Sequence, residues 1–294
     1  MSSEKSAHLT LPHALLALIV VAIWGANFTV IKIGLEHLPP LFMAALRFGL
    51  AFFPAALFVK RPNVSWQKLA LYGVSIGAGQ FGLIFIAING FISPGLASLV
   101  VQSQIFFTIG MAIVLRGEKV QMFQWLALLL AVIGFGVIMD NTGADATVLG
   151  VVLVLLSGFS WAIGNLVTAT IPGVNMFGFI VWSSLFAVPP LLLFSFLMEG
   201  WPAMHRGLVT ADLATWSAVL WQTTGNTLFG YGAWAWLLSR YRAATITPMA
   251  LLVPVFGLGT SALVLGEPLQ SWKLAAGALV LSGLALNFIA TKKR

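Results

Sequence analysis

The chain contains no cysteine, which excludes a disulfide scaffold, a thiolate nucleophile and any cysteine-held metal or cluster. Charge is nearly as scarce. Asp, Glu, Lys and Arg make up 8% of the 294 residues, against about 25% in an average soluble domain. So few charges cannot cover a water-soluble body of this size, and the surface must be solvated by lipid. Chemical motifs are missing too. There is no GxxxxGK[ST] phosphate loop, no HExxH, no Cys/His cluster, and no Asp/His pair on one helix for hydrolysis inside a membrane. No enzyme and no cofactor are expected from such a sequence.

What is present is apolar. AVILMFWYC account for 60% of residues and the mean hydropathy is +0.99. A membrane-spanning helix needs about 20 mostly apolar residues at about 1.5 Å each. Ten runs fit: 12–34, 40–60, 66–91, 95–115, 120–139, 147–170, 175–197, 213–238, 245–265 and 270–290. They are long and continuous rather than alternating, which argues against a β-barrel. Breaker residues such as Pro39-Pro40, Pro62-Asn63, Ser93-Pro94-Gly95 and Pro172-Gly173 separate them. The connection Glu199–Asp212 is longer but too short for a domain. The first run follows a short polar stretch and reads as a retained helix, not a removed signal peptide.

The net charge of +7 does not point to nucleic acid, because the basic residues sit in short loops. With the N-terminus placed in the cytoplasm, eleven of them fall on that side: Lys5, Lys60, Arg61, Lys68, Arg116, Lys119, Arg240, Arg242, Lys292, Lys293 and Arg294. Only Lys32, Arg206 and Lys273 fall opposite. The positive-inside bias therefore predicts both termini in the cytoplasm.

The chain is also duplicated. Displacing residues 96–139 by 149 positions superimposes Phe107 on Phe256, Gly110 on Gly259, Gly117-Glu118 on Gly266-Glu267, Gln121 on Gln270, Ala127 on Ala276, Leu130 on Leu279 and Gly134 on Gly283. The predicted fold class is an all-α integral membrane protein of ten helices in two five-helix repeats, 1–140 and 147–294. An odd number per repeat inserts the second upside down, a recurrent plan of secondary transporters with a solute site between the halves. Glu118 and Glu267 then face opposite sides, so each reads as a turn residue and not as part of a shared site.

Polar side chains inside the runs are few. Trp24 and Asn27 are three apart and share a face. Gln80 lies in the third run, and Gln102 and Gln104 in the fourth, about 200° apart on an α-helix. Ser157, Trp161, Asn165 and Thr168 form one stripe, and Gln222 and Asn226 are four apart. Amides can bond both ends of a zwitterion, and indoles receive apolar groups and cations. The competing role, gluing helices together, is as good for any one residue; the Trp24/Asn27 pair and the 157–168 stripe favour a cavity wall. Arg47 is the only charge well inside a run. It either binds a solute carboxylate or pairs with Glu36 or a carbonyl, and the structural role is favoured. Pro54, Pro189-Pro190, Pro248 and Pro254 lie inside runs and mark bends or hinges. Gly73 and Gly77 suit close helix packing. No Asp or Glu lies inside a run and the four His lie outside the membrane core. Proton coupling through a buried acid is thus disfavoured, and transport along the solute gradient is expected.

Trp24-Gly25-Ala26-Asn27-Phe28, Leu46-Arg47-Phe48 and the twin Gly-Glu turns followed by glycine-bearing helices resemble the EamA-like branch of the drug/metabolite transporter superfamily over nearly the whole chain. Gly95–Val100 and Leu251–Val255 are most similar to bacterial amino-acid exporters of the EamA and YddG types. The resemblance implies inner-membrane export of amino acids or related metabolites. It implies a cavity lined by helices 1, 3, 4, 6, 8 and 9, with helices 5 and 10 peripheral. Phosphate-antiporting relatives carry basic residues in helix 9 and small multidrug relatives a Glu in helix 1. The chain has neither.

The expected function is export of neutral or aromatic amino acids by alternating access. The candidate wall is Trp24, Asn27, Gln80, Gln102, Trp161, Asn165, Gln222 and Asn226, with Arg47 behind them. A broad exporter of drugs or organic cations is the alternative within transport, and a non-transporting membrane receptor or assembly partner the alternative outside it.

Overall fold

A computed structural model describes residues 9–116, 122–141, 143, 145–241 and 243–292. The described residues form ten long helical segments: α1 (Leu11–Gly34), α2 (Pro40–Phe52), α3 (Trp66–Ile88), α4 (94–116), α5 (Met122–Asp140), α6 (Val148–Thr168), α7 (Met176–Met198), α8 (213–240), α9 (243–265) and α10 (Ser271–Lys292). Seven spans have the length and hydropathy to cross a membrane, the second reaching Pro40–Leu57 only with the turn that follows α2; α5 and α10 supply shorter apolar helices, and α8 carries the polar stretch Gln222–Asn226 in its middle. Lys5, the turn Gly117-Glu118, Lys119, Gln121, Arg242, Lys293 and Arg294, all used in the sequence reading, lie outside the described residues.

The second run is shorter than expected. Its helix stops at Phe52, and a 3₁₀ turn, Ala55–Leu57, follows Pro54. Proline has no N–H to give and clashes with the preceding turn, so the helix cannot continue through it. Pro248 and Pro254 open helical segments at positions where no N–H is needed. Pro189 and Pro190 alone lie inside an unbroken helix. The connection after α7 folds into a short helix, Trp201–Thr210. It buries Met204 and Gly207 and exposes Trp201, Leu208 and Val209, the pattern of a helix lying along the bilayer surface.

The duplication is written in the backbone. α3 contains a π-helical stretch, Ser75–Gly82, and α8 contains another, Trp221–Gly230. α4 contains a 3₁₀ stretch, Val101–Ser103, and α9 another, Thr247–Leu252. Displacement by 149 carries the first member of each pair onto or across the second. Packing follows the same symmetry. α1 lies on α9 as α6 lies on α4, and α1 on α8 as α6 on α3, while α2 meets α7 and α5 meets α10. At the α5–α10 seam a Cβ on Gly134 would come 3.2 Å from the Ala276 carbonyl, and one on Gly283 would come 2.6 Å from the Ala127 carbonyl. Those are two equivalent contacts of one self-complementary interface. Gly73 and Gly77 similarly let α3 lie directly on Ser183 and Ala187 of α7.

Exposed Leu126, Leu129, Val132 and Ile133 of α5 and Leu192, Leu193, Phe196 and Leu197 of α7 form an apolar outer belt facing lipid. The turns after α1, α3, α5, α7 and α9 share one face by connectivity, here called the turn face. The α9–α10 turn depends on Gly266, which ends α9 at φ 69°, a conformation that side chains with a Cβ disfavour.

Candidate functional site

The π stretches place the polar side chains. A π turn closes hydrogen bonds five residues apart instead of four, so residues i and i+5 come onto one face. Gln222 and Thr227 of α8 are such a pair, with the Thr227 hydroxyl donating to the Gln222 carbonyl at 2.9 Å. Both reach the fully buried Arg47 of α2. Arg47 Nη1 donates to Gln222 Oε1 at 2.9 Å, while Nε and Nη2 donate to Thr227 Oγ1 at 3.2 and 3.0 Å. The guanidinium lies 3.7 Å from the centroid of the Phe81 ring and 5.1 Å from that of Phe48. Ion pairs among the described residues join Lys273 to Asp145 and Glu267, the His37–Asp212 contact being ionic only when the imidazole is protonated, and none reaches Arg47. Glu36, the partner considered from sequence, is not used. An amide, a hydroxyl and two aromatic faces hold the charge instead.

The rest of the cluster grows from α1. Gln222 Nε2 donates to the Asn27 carbonyl at 3.3 Å, and Trp24 Nε1 donates to the Asn226 carbonyl at 3.3 Å. Trp24 also packs on Tyr231 and Trp234 of α8, with centroids 5.4 and 5.1 Å away. Trp24, Asn27, Arg47, Gln222 and Asn226, scattered in sequence, are thus brought together where α1, α2 and α8 meet. Gln80 adjoins through its neighbour Phe81. Buried Asn27 Oδ1 and Gln80 Oε1 have no hydrogen-bond partner. Beside Arg47, between α2, α3, α7 and α8, lies a void of about 10 Å³, room for one water. Phe48, Phe81, Tyr72, Thr227, Tyr231 and Ser183 border it, and the Ser183 hydroxyl is also unpartnered.

The 157–168 stripe behaves differently. Ser157 donates to the Gln80 carbonyl at 2.9 Å, and Asn165 Nδ2 donates to Gln104 Oε1 and Thr108 Oγ1 at 2.7 and 3.1 Å. These bonds tie α6 to α3 and α4. Trp161 is half-buried against the core, and Gln102 is buried in the 3₁₀ stretch of α4. Thr227 and Phe81 were not singled out from sequence, whereas Ser183 and Tyr231 stand out there only as polar residues inside runs. For Thr227 the concealing assumption was an α-helical period, under which it turns away from Gln222.

One family model matches this chain twice, at residues 11–139 and 148–289; its description is EamA-like transporter family. The chain belongs to the EamA-like transporter family. It is therefore a transporter and not an enzyme. A protein of Salmonella typhimurium strain LT2 named "Probable amino-acid metabolite efflux pump" is 41% identical over 285 residues, 95% of each chain. A protein of the same name from Escherichia coli K12 is 39% identical over the same share. A "Probable terminal-alkyne amino-acid exporter" of Streptantibioticus cattleyicolor is 24% identical, covering 91% of this chain and 90% of that one. A crystal structure with a TM-score of 0.63 and 16% identity, covering 96% of this chain and 98% of its own, shares the fold.

For a transporter, what closes each face matters as much as the site. The turn face is laced by acids. Glu199 at the end of α7 accepts from the N–H groups of Leu41 and Phe42 at 2.7 and 3.1 Å, capping α2, whose own cap residue, Pro39, offers no side-chain bond. Glu267 does the same for α4, taking the Gly95 N–H at 3.2 Å and the hydroxyls of Ser93 and Ser261. Lys273, read from sequence as a loop charge, is fully buried in the first turn of α10. It bonds Glu267 at 2.9 Å, Asp145 at 3.1 Å and the Pro268 carbonyl at 3.0 Å. Burial raises the pKa of Glu267, but Ser261, Ser93 and Lys273 outweigh it and hold the carboxyl below its ordinary value. Asp212, exposed, is held below its ordinary value by the Thr215 N–H and hydroxyl as it caps α8.

Proposed function

We propose that the protein exports neutral or aromatic amino acids, or closely related metabolites, from the cytoplasm across a bacterial-type inner membrane. Two five-helix halves, 1–140 and 147–294, alternate around a central site, both termini are cytoplasmic, and the solute gradient drives the flux. The observation that carries this reading is the joining of Trp24, Asn27, Arg47, Gln222 and Asn226 into one cluster in which Asn27 Oδ1 is unpartnered, in a family whose relatives are named for amino-acid efflux. Gln80 adjoins this cluster, and Gln102, Trp161 and Asn165 of α4 and α6 complete the candidate wall. Residues 94–103 of α4 are all buried toward the turn face, whereas 105–113 are partly exposed. That gradient supports a resting state sealed outside and looser toward the cytoplasm. No acid lies deeper in a span than Asp140, the last residue of α5, which supports uniport over proton antiport.

Proteoliposome counterflow with labelled amino acids tests the reading, and absence of exchange for all of them would overturn it. The Trp24–Tyr231–Trp234 cluster also suits an organic cation. Flux of such cations that depends on a pH gradient would favour that second reading.

A further inference from the structure

Arg47 keeps donors in reserve. A guanidinium has five N–H groups, and three are accounted for by Gln222 and Thr227. One N–H remains on each terminal nitrogen, and N–H groups of a guanidinium are strong donors to a carboxylate. A fully buried cation with no anion beside it is costly, and neutral acceptors offset only part of that cost. A helix strut between α2 and α8 does not require a charge, since neutral side chains tie helices elsewhere in this fold, as Asn165 does with Gln104 and Thr108.

The surroundings point the same way. The void bordering Phe48, Phe81 and Thr227, all contacts of Arg47, also exposes the unpartnered, 1% accessible Ser183 hydroxyl. Asn27 Oδ1 and Gln80 Oε1 are buried acceptors without donors. A buried cation with spare donors, joined through Gln222 to Asn27 and packed on Phe81 next in sequence to Gln80, matches a solute with a carboxylate and an ammonium.

We propose that Arg47 receives the carboxylate of the exported solute, with Asn27 Oδ1 and Gln80 Oε1 accepting from its ammonium. The void beside Phe81 and Thr227, about 10 Å³, takes one water, so the helices must part there to admit the carboxylate, and the Trp24–Tyr231–Trp234 rings take the apolar side chain. This rests on the amino-acid reading given above and makes it specific: a carboxylate is obligatory for recognition.

The test uses full-length protein in liposomes and three competitors that share one side chain: the amino acid, its carboxamide and its decarboxylated amine. Wild type is expected to prefer the acid over both others by about 10- to 100-fold in half-maximal competition, the range of a charge-assisted pair. R47Q, which keeps a polar strut, is expected to compress that preference to within about threefold, with R47K intermediate. Equal competition by acid and carboxamide in wild type overturns the carboxylate assignment while leaving amino-acid export standing. So does an R47Q that folds and keeps the preference. Failure of all amino acids to exchange overturns the export reading itself. The wild-type comparison decides the matter even where an Arg47 variant does not fold.

Discussion

Replacing Lys273 with methionine tests whether the ionic knot at the turn face holds the structure shut. The ammonium is fully buried and lies 2.9 Å from Glu267 and 3.1 Å from Asp145. Methionine keeps most of the volume and removes the charge. Breaking a buried pair costs about 3–5 kcal/mol because an uncompensated ion stays behind. Here Asp145 is 21% exposed and regains water, and Glu267 keeps the Ser93, Ser261 and Gly95 donors. The expected loss is therefore at the low end, about 3 kcal/mol. Pairing with Glu267→Gln in a double-mutant cycle should show coupling of about 1–3 kcal/mol, since both changes remove one contact. The assay is unfolding in mixed detergent micelles followed by tryptophan fluorescence. A K273M protein within about 0.5 kcal/mol of wild type, the ordinary range for surface changes, or strictly additive changes, would refute the reasoning. The pH dependence has a definite sign. Glu267 is held below its ordinary value of 4.5, so its contribution is present above that pH and lost as pH falls through the lower folded value. The stability difference between wild type and E267Q should therefore shrink in acid and stay constant above about pH 5.

Gly283→Leu should destabilise by about 1–3 kcal/mol, because the new Cβ meets the Ala127 carbonyl at 2.6 Å; a thermal shift assay reads this, and G259L, with no atom within 4 Å of its Cβ, serves as the neutral control. Glu199→Ala removes the carboxylate that caps α2 and should cost about 1 kcal/mol, read as faster hydrogen exchange at Leu41 and Phe42. Thr227→Val takes away the acceptor of two Arg47 bonds at nearly constant shape. It should cost about 1–3 kcal/mol and weaken solute competition more than Thr224→Val, whose hydroxyl bonds only its own helix.

Much of this architecture is legible in the residues because lipid enforces it. Each backbone crossing the bilayer must satisfy its own hydrogen bonds, so long apolar runs leave little choice but helices. The offset of 149 between Gly134 and Gly283, seen first as a match of letters, reappears as paired contacts on Ala276 and Ala127. The site was harder to read. Trp24, Asn27, Gln222 and Asn226 stood out because polar groups are rare there, and Arg47 because it is charged. Their convergence depends on the π stretch of α8, which shifts the helical phase and turns Thr227 toward Arg47; no local propensity announces it. Asn165 shows the converse. Its stripe reads as a wall, but the bonds from its amide nitrogen to Gln104 and Thr108 could not be read from helical spacing. Lys273 was hidden because a cation one turn inside a helix looks like a loop charge until Asp145, far away in sequence, is placed beside it.

Counterflow in liposomes of purified protein, preloaded with one unlabelled amino acid and diluted into the same labelled compound, tests the central claim most directly. The account expects accumulation of label for neutral or aromatic amino acids that is unchanged when the pH gradient is collapsed. No accumulation for any amino acid, or accumulation that requires the pH gradient, would contradict it.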